Sequence, residues 1–158
     1  MRKALLLLCS TLFSCILANA QVTITDDVLD KVVIRFEDAN GYTLKQKITS
    51  VNTNTNGLPN DNIIECMPGK QVLVVAVFNH KPADLFGRMV VTKRFGKKIA
   101  YDEHKFQAPE LESSLDIYYS LVAVAFPGEA TSINCSVNLQ VFDKTNPKDK
   151  VWLLVFTK

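Results

Sequence analysis

Residues 71–79, which read QVLVVAVFN, are the stretch of the chain that decides its fold. Seven apolar residues follow one another without interruption from Val72 to Phe78, and five of them are β-branched or aromatic. A run this short and this rich in such side chains is typical of a strand buried on both faces rather than of a helix. Because Pro68 and Gly69 precede the run as a turn signal, the sequence predicts a central strand that starts shortly after them.

The rest of the chain has the pattern of a sheet built around that strand. Residues 117–126 and 151–157 are similar apolar runs, and residues 133–141 alternate strictly between apolar and polar side chains. Such alternation is typical of a strand with one buried face, and Cys135 lies on the apolar side. No segment with helical periodicity is long enough to connect parallel strands. We therefore expect one all-β domain, an antiparallel β-sandwich of immunoglobulin-like or jelly-roll-like architecture.

A first hairpin is predicted near the start of the domain. Residues 31–37 alternate between apolar and charged side chains, with one exception, and the Asn-Gly pair at 40–41 follows them. Asn-Gly is a strong hairpin signal because both residues tolerate positive φ. Residues 42–51 would form the return strand, with Leu44 and Ile48 on the same face.

A second hairpin is predicted over residues 88–101, turning about Gly96. We expect its inward face to carry four large apolar side chains: Met89, Val91, Ile99 and Tyr101.

The tip of this second hairpin is the candidate partner-binding site. It concentrates four cations around one aromatic side chain: Lys93, Arg94, Phe95, Lys97 and Lys98. Clustered positive charge around an exposed aromatic suits an acidic protein surface, an acidic glycan or a lipid headgroup. The alternative is a solvated turn whose lysines protect an edge strand from aggregation.

Residues 1–20 have the pattern of a secretory signal peptide. Arg2 and Lys3 precede an apolar body, and small residues at 18–20 (Ala-Asn-Ala) provide a cleavage site. We expect cleavage there, which leaves a single domain over residues 21–158 that is either secreted or periplasmic.

A bacterial lipoprotein is the competing interpretation of this segment. Cys15 ends a Leu-Phe-Ser-Cys sequence that resembles a lipidation box, which would anchor the protein to a membrane. The bulky Phe13 and the complete Ala-x-Ala sequence downstream favour simple cleavage.

Charge limits the classes of partner. Arg2 and Lys3 account for two of the 18 basic residues, so the expected mature chain carries 16 basic and 16 acidic residues. A formally neutral domain has no global attraction to nucleic acid or to an anionic membrane.

Two of the four cysteines remain after cleavage, namely Cys66 and Cys135. In an exported domain, two cysteines most simply form one disulfide. Closing a loop of roughly 70 residues would stabilise the fold by about 4 kcal/mol in the chain-entropy model.

Motifs for catalysis or for a cofactor are absent from the sequence. His80 and His104 lack a second ligand at zinc spacing, and no Gly-x-Ser-x-Gly surrounds any serine. We therefore expect no metal and no cofactor, and a non-enzymatic protein that binds a protein or a glycan. The alternatives are a secreted hydrolase whose site is assembled from loops, and an enzyme inhibitor that uses the polar loop at residues 52–62.

Surplus apolarity raises a further question, because the longest runs are apolar on both faces. A two-layer sandwich covers only one face of each strand. We expect the other face to be covered either by a long loop, such as residues 102–116, or by a second copy of the chain in a homodimer.

Overall fold

The structure is a computed structural model that describes residues 23–51, 61–82, 84–142 and 151–158. The predictions for residues 1–20, Cys15 included, lie outside the described residues, as does most of the loop at residues 52–62. In the part of the chain that is described, no helix is long and apolar enough to cross a bilayer.

The described residues form one helix and nine strands. In chain order these are α1 (Asp26–Asn40), β1 (Thr43–Val51), β2 (Asp61–Ile64), β3 (Gln71–Phe78), β4 (Asp84–Phe95), β5 (Lys98–Lys105), β6 (Glu110–Glu112), β7 (Ile117–Ala125), β8 (Ser132–Phe142) and β9 (Val151–Thr157).

The strands form two packed sheets, which confirms the predicted antiparallel β-sandwich. The five-stranded sheet has the order β1-β9-β3-β7-β6, and the four-stranded sheet has the order β2-β8-β4-β5. All the strand pairs described in them are antiparallel.

Strand β3 lies at the centre of the five-stranded sheet, between β9 and β7, and is buried on both faces as predicted. Val72, Val74 and Ala76 belong to the core between the two sheets. Val75 and Val77 belong to a second core on the outer face of the same sheet. The run is apolar without interruption because its strand contributes side chains to two cores.

Helix α1 packs on that outer face, where the sequence predicted a long loop or a second copy of the chain. Leu29 and Val32 of the helix are buried with β3 in the second core, and Phe36 packs on Phe156 of β9 with ring centroids 5.5 Å apart. Residues 102–116 contribute Leu115, which also packs against this second core. They are not one loop, because 102–105 belong to β5 and 110–112 form β6. The homodimer stays a prediction.

The first predicted hairpin was also wrong, because residues 31–37 lie inside α1. Apolar side chains alternate there, but Leu29, Val32 and Phe36 also recur at spacings of three and four, which is the helical period. The helix can bury all three against β3 and β9, whereas Ile34, which a strand would have buried, is 55% exposed.

The Asn-Gly pair at 40–41 ends this helix instead of turning a hairpin. Gly41 adopts a left-handed conformation with φ of 64°, and its backbone N–H donates a hydrogen bond to the Glu37 carbonyl at 2.9 Å. A glycine in this conformation is a common helix end, because it has no Cβ to strain. The Asn-Gly pair thus marks the end of a helix here and not a hairpin turn.

A bulge in β1 overturns the expectation that Leu44 and Ile48 share a face. Leu44 pairs with Phe156 and Gln46 with Val155, so Lys45 has no partner of its own on β9. An extra residue inverts the side-chain alternation beyond it. Leu44 therefore packs under α1, whereas Ile48 packs in the core between the sheets.

The predicted disulfide joins Cys66 to Cys135, whose Cα atoms are 6.4 Å apart. Cys135 points into the core between the sheets and is almost fully buried, as the alternation in β8 predicts. The bond fixes the segment after β2 to the middle of the four-stranded sheet.

We predict that the packing of α1 on β3 stabilises the whole domain. Replacing Leu29, which is fully buried, by alanine removes apolar contacts and leaves a cavity, and should cost about 2–5 kcal/mol. Urea denaturation of the disulfide-bonded protein measures this cost.

Ile34→Ala is the matched control on the same helix. Because Ile34 is exposed, its truncation should change the free energy of unfolding by no more than about 0.5 kcal/mol. Equal losses in the two variants would contradict the packing of α1 described here.

Candidate functional site

The hairpin of β4 and β5 forms as predicted, and its register decides which side chains face solvent. Gly96 lies in the turn with φ of 60°, and Phe95 pairs with Lys98 across it. Residues directly opposite each other on paired strands share a face of the sheet. The face of the sheet on which each β5 side chain lies is therefore the same as that of its partner on β4.

Ile99 and Tyr101 point outward, so the prediction that they face the core was wrong. They pair with Arg94 and Thr92, which alternate with the inward-facing Met89 and Val91. Ile99 is 45% exposed and Tyr101 is 73% exposed. The two-residue turn was the signal that could have given this result, because it places residues 99 and 101 opposite 94 and 92.

Phe95 is not the exposed aromatic of the tip. Its ring is half-buried and packs against the core between the sheets. Lys93, which shares its face of β4, forms an ion pair with Asp102 of β5. The hydrogen bond from the Lys93 ammonium lowers the pKa of the Asp102 carboxyl below its ordinary value.

The remaining tip residues, Arg94, Lys97 and Lys98, are exposed. The structure therefore brings three of the five predicted site residues together at the surface. It assigns Phe95 and Lys93 to the inner side of the sheet edge.

The outward side of the four-stranded sheet is a larger candidate surface, which we call the open face. We define it by the strand register as Ile63 of β2, Asn134, Ser136 and Asn138 of β8, Phe86, Arg88, Val90, Thr92 and Arg94 of β4, and Ile99, Tyr101, Glu103 and Lys105 of β5.

Large apolar side chains are exposed along this face. Besides Ile99 and Tyr101, Ile63 is 78% exposed and Phe86 is 47% exposed. Thr92, the partner of Tyr101, lies six positions after Phe86 on β4, so the two aromatics lie about 20 Å apart along the strands. Exposed apolar side chains that are neighbours on one face, as Ile99 and Tyr101 are on β5, mark interaction surfaces more often than isolated exposed residues do.

Arg88 connects the apolar residues of the open face with its polar ones. Its Nη1 atom donates a hydrogen bond to Glu103 Oε2 at 3.2 Å, and its guanidinium lies 5.8 Å from the centre of the Phe86 ring. Arginine held in this way presents a planar, ordered group to a partner at little further cost in side-chain entropy.

The two histidines belong to different parts of the fold. His80 follows β3 and contacts Asn79, with 2.8 Å between its Nδ1 and the Asn79 Oδ1, whereas His104 lies on the inward side of β5 opposite Met89. Among the described residues, no three His, Cys, Asp or Glu side chains are grouped so that they could hold a metal ion.

Comparison with known proteins gives little that bears on this surface. No family model and no curated protein matches the chain. Among solved structures, the chain is similar to one described as "Family 16 Carbohydrate Binding Module-2", with 13% sequence identity and a TM-score of 0.30. The similarity covers 73% of this chain and 83% of that one. At this level of similarity, it gives no information about the function of this chain.

We predict that truncating the two aromatics of the hairpin has unequal effects on stability. Phe95→Ala removes a ring that packs on the core and should lower the free energy of unfolding by about 2 kcal/mol. Tyr101→Ala removes a ring that lies largely in solvent and should change it by no more than about 0.5 kcal/mol. Thermal or urea unfolding of both variants tests whether Phe95 faces the core and Tyr101 faces solvent. A larger loss of stability for Tyr101→Ala would refute this assignment.

Proposed function

We propose that the chain is an exported, non-catalytic binding protein that recognises another protein through its open face. The proposal rests on the unequal exposure of apolar side chains on the outer faces of the two sheets. On the five-stranded sheet, α1 buries the apolar outer face, whereas four large apolar side chains of the four-stranded sheet stay exposed: Ile63, Phe86, Ile99 and Tyr101.

The composition of this face supports a protein partner more than a glycan. Aromatic and arginine side chains are enriched at the centres of protein interfaces, and Tyr101 and Arg88 supply both kinds. Asn134 could hydrogen-bond sugar hydroxyls, but Ile63 and Ile99 expose aliphatic surface that hydroxyl-rich sugars satisfy poorly. Apolar burial against a protein surface accounts for these two residues as well.

The exposed cations of the hairpin tip extend this surface at one end. Arg94 lies directly beside Ile99, and Lys97 and Lys98 continue into the turn. Charges at the edge of an interface mainly accelerate association and select partners of opposite charge. We therefore propose that the partner carries acidic groups where it meets the tip, and that Phe95 and Lys93 do not contact it.

The disulfide supports an exported location. Disulfides such as Cys66–Cys135 persist in oxidising compartments and are rare in the cytosol. Together with the signal-peptide pattern of residues 1–20, this supports a secreted or periplasmic protein.

We predict that the apolar residues of the open face dominate the affinity. The double variant Ile99→Ala/Tyr101→Ala should lose a partner protein that the wild type captures from exported proteins. With the purified partner, its Kd should rise by about 30-fold or more, as truncation of interface hot spots does. Calorimetry or biolayer interferometry measures the change.

The matched control is Ile34→Ala/Leu111→Ala, which removes two exposed apolar side chains from outside the open face. Its affinity should equal that of the wild type, and equal loss in both double variants would refute the site. A glycan array serves as the second arm. Glycan binding that is lost only in Ile99→Ala/Tyr101→Ala would support the open face as the binding site. It would also contradict the proposal that the partner is a protein.

We predict a different signature for the tip cations. Reversing Arg94, Lys97 and Lys98 to glutamate should slow association with the same partner by about 10-fold at low salt. The difference from the wild type should shrink as salt is added, because exposed charges are screened. Association rates that are unchanged at all salt concentrations would exclude the tip from the interface.

A further inference from the structure

A cleft opens at the end of the sandwich where α1 stops and β9 ends. Its volume is about 370 Å³, which is within the usual range for small-molecule sites. Three lysines line it, Lys45, Lys70 and Lys158, together with one acidic side chain, that of Glu65. The cleft residues do not overlap with the open face, and the cleft has no role in the function proposed above.

The bulge in β1 contributes Lys45 to this cleft. Lys45 is the residue that has no partner on β9, between the pairs Leu44–Phe156 and Gln46–Val155. Bulges redirect a side chain out of the regular alternation and are frequent beside functional sites. Here the bulge places a cation in the cleft wall.

Lys158 is held in place by several contacts. Its Nζ atom donates a hydrogen bond to the Asn40 carbonyl at 3.0 Å and lies 5.9 Å from the centre of the Tyr42 ring. Its backbone N–H donates to the Gln71 carbonyl at 2.9 Å, and its own carbonyl accepts from the Gln71 N–H at 3.1 Å. This lysine is therefore an ordered part of the cleft.

The disulfide fixes another part of the cleft lining. Cys66 lies between Glu65 and Met67, both of which line the cleft, and its bond to Cys135 ties this segment to the four-stranded sheet. Met67 is 62% exposed and adds an apolar surface that the fold itself does not use.

We infer that this cleft binds a small organic anion, one that carries a carboxylate or phosphate on an apolar body. Three lysine side chains against one acidic side chain leave an excess of positive side-chain charge that an anion would neutralise. The Thr43 and Thr157 hydroxyls can donate hydrogen bonds to the same anionic oxygens. Met67 and the methylene stems of the lysines provide surface for an apolar body.

Amide chemical shifts of the native, disulfide-bonded protein test this inference at constant ionic strength, with phenyl phosphate as the probe and benzyl alcohol as its uncharged counterpart. We expect phenyl phosphate to shift the amides of Gly41, Thr157 and Lys158 along saturating curves. Benzyl alcohol should not saturate them. Saturation by both compounds alike, or by neither, would overturn the proposal.

Variants of the cleft make the test specific. Lys45→Gln/Lys70→Gln should weaken phenyl phosphate binding by at least 10-fold, and Glu65→Gln should tighten it, because a like charge is removed. Lys31→Gln/Lys81→Gln removes two exposed lysines outside both the cleft and the open face with its tip, and should bind as the wild type does. Equal weakening in both lysine pairs would mean that phenyl phosphate binds through nonspecific charge attraction, and would overturn the site. Unchanged binding in Lys45→Gln/Lys70→Gln would overturn it as well.

Discussion

Burial of β3 on both faces is the constraint on which the rest of the structure depends. Val74 and Val75 are adjacent, point to opposite faces and have no exposed surface. Each needs its own covering layer, because leaving a valine in water forgoes about 1.5–3 kcal/mol. The four-stranded sheet covers one face and α1 covers the other, so the domain has three layers.

This arrangement makes the two outer surfaces of the domain different. The outer face of the five-stranded sheet is apolar and needed for folding, and α1 is fastened over it by an ion pair between Arg35 and Glu112, whose carboxylate also accepts hydrogen bonds from Ser114. The open face is not needed for the core, so its exposed isoleucines and aromatics serve no evident folding purpose. That surplus supports an interaction role for the face.

The disulfide connects the two proposed surfaces through neighbouring residues. Asn134 and Ser136, on either side of Cys135, belong to the open face, whereas the neighbours of Cys66, Glu65 and Met67, line the cleft. One covalent bond thus fixes the backbone of both, although each surface is defined by different side chains. Reduction would be expected to disturb the two together.

The fold was largely predictable from the sequence because β3 and its relatives are local patterns, and residues 117–126 and 133–141 became strands as expected. The alternation of apolar and polar residues wrongly predicted a strand at residues 31–37. Both the strand period and the helical period fit the apolar residues there, and only the need to cover β3 decides between them. Alternation failed again at Tyr101, whose facing is fixed by its partner on β4. The open face and the cleft depend on such pairings, so neither could be found without the register.

Hydroxyl-radical footprinting of the native protein shows whether a partner covers the open face. Labelling of the purified protein would be compared with labelling among the other exported proteins of its source. If the open face binds a partner, Tyr101 and Phe86 should react readily in the purified protein and be protected in the mixture, while Ile34 and Leu111 should react equally in both. Equal labelling of Tyr101 and Phe86 in the two samples would contradict the claim that the open face binds a partner.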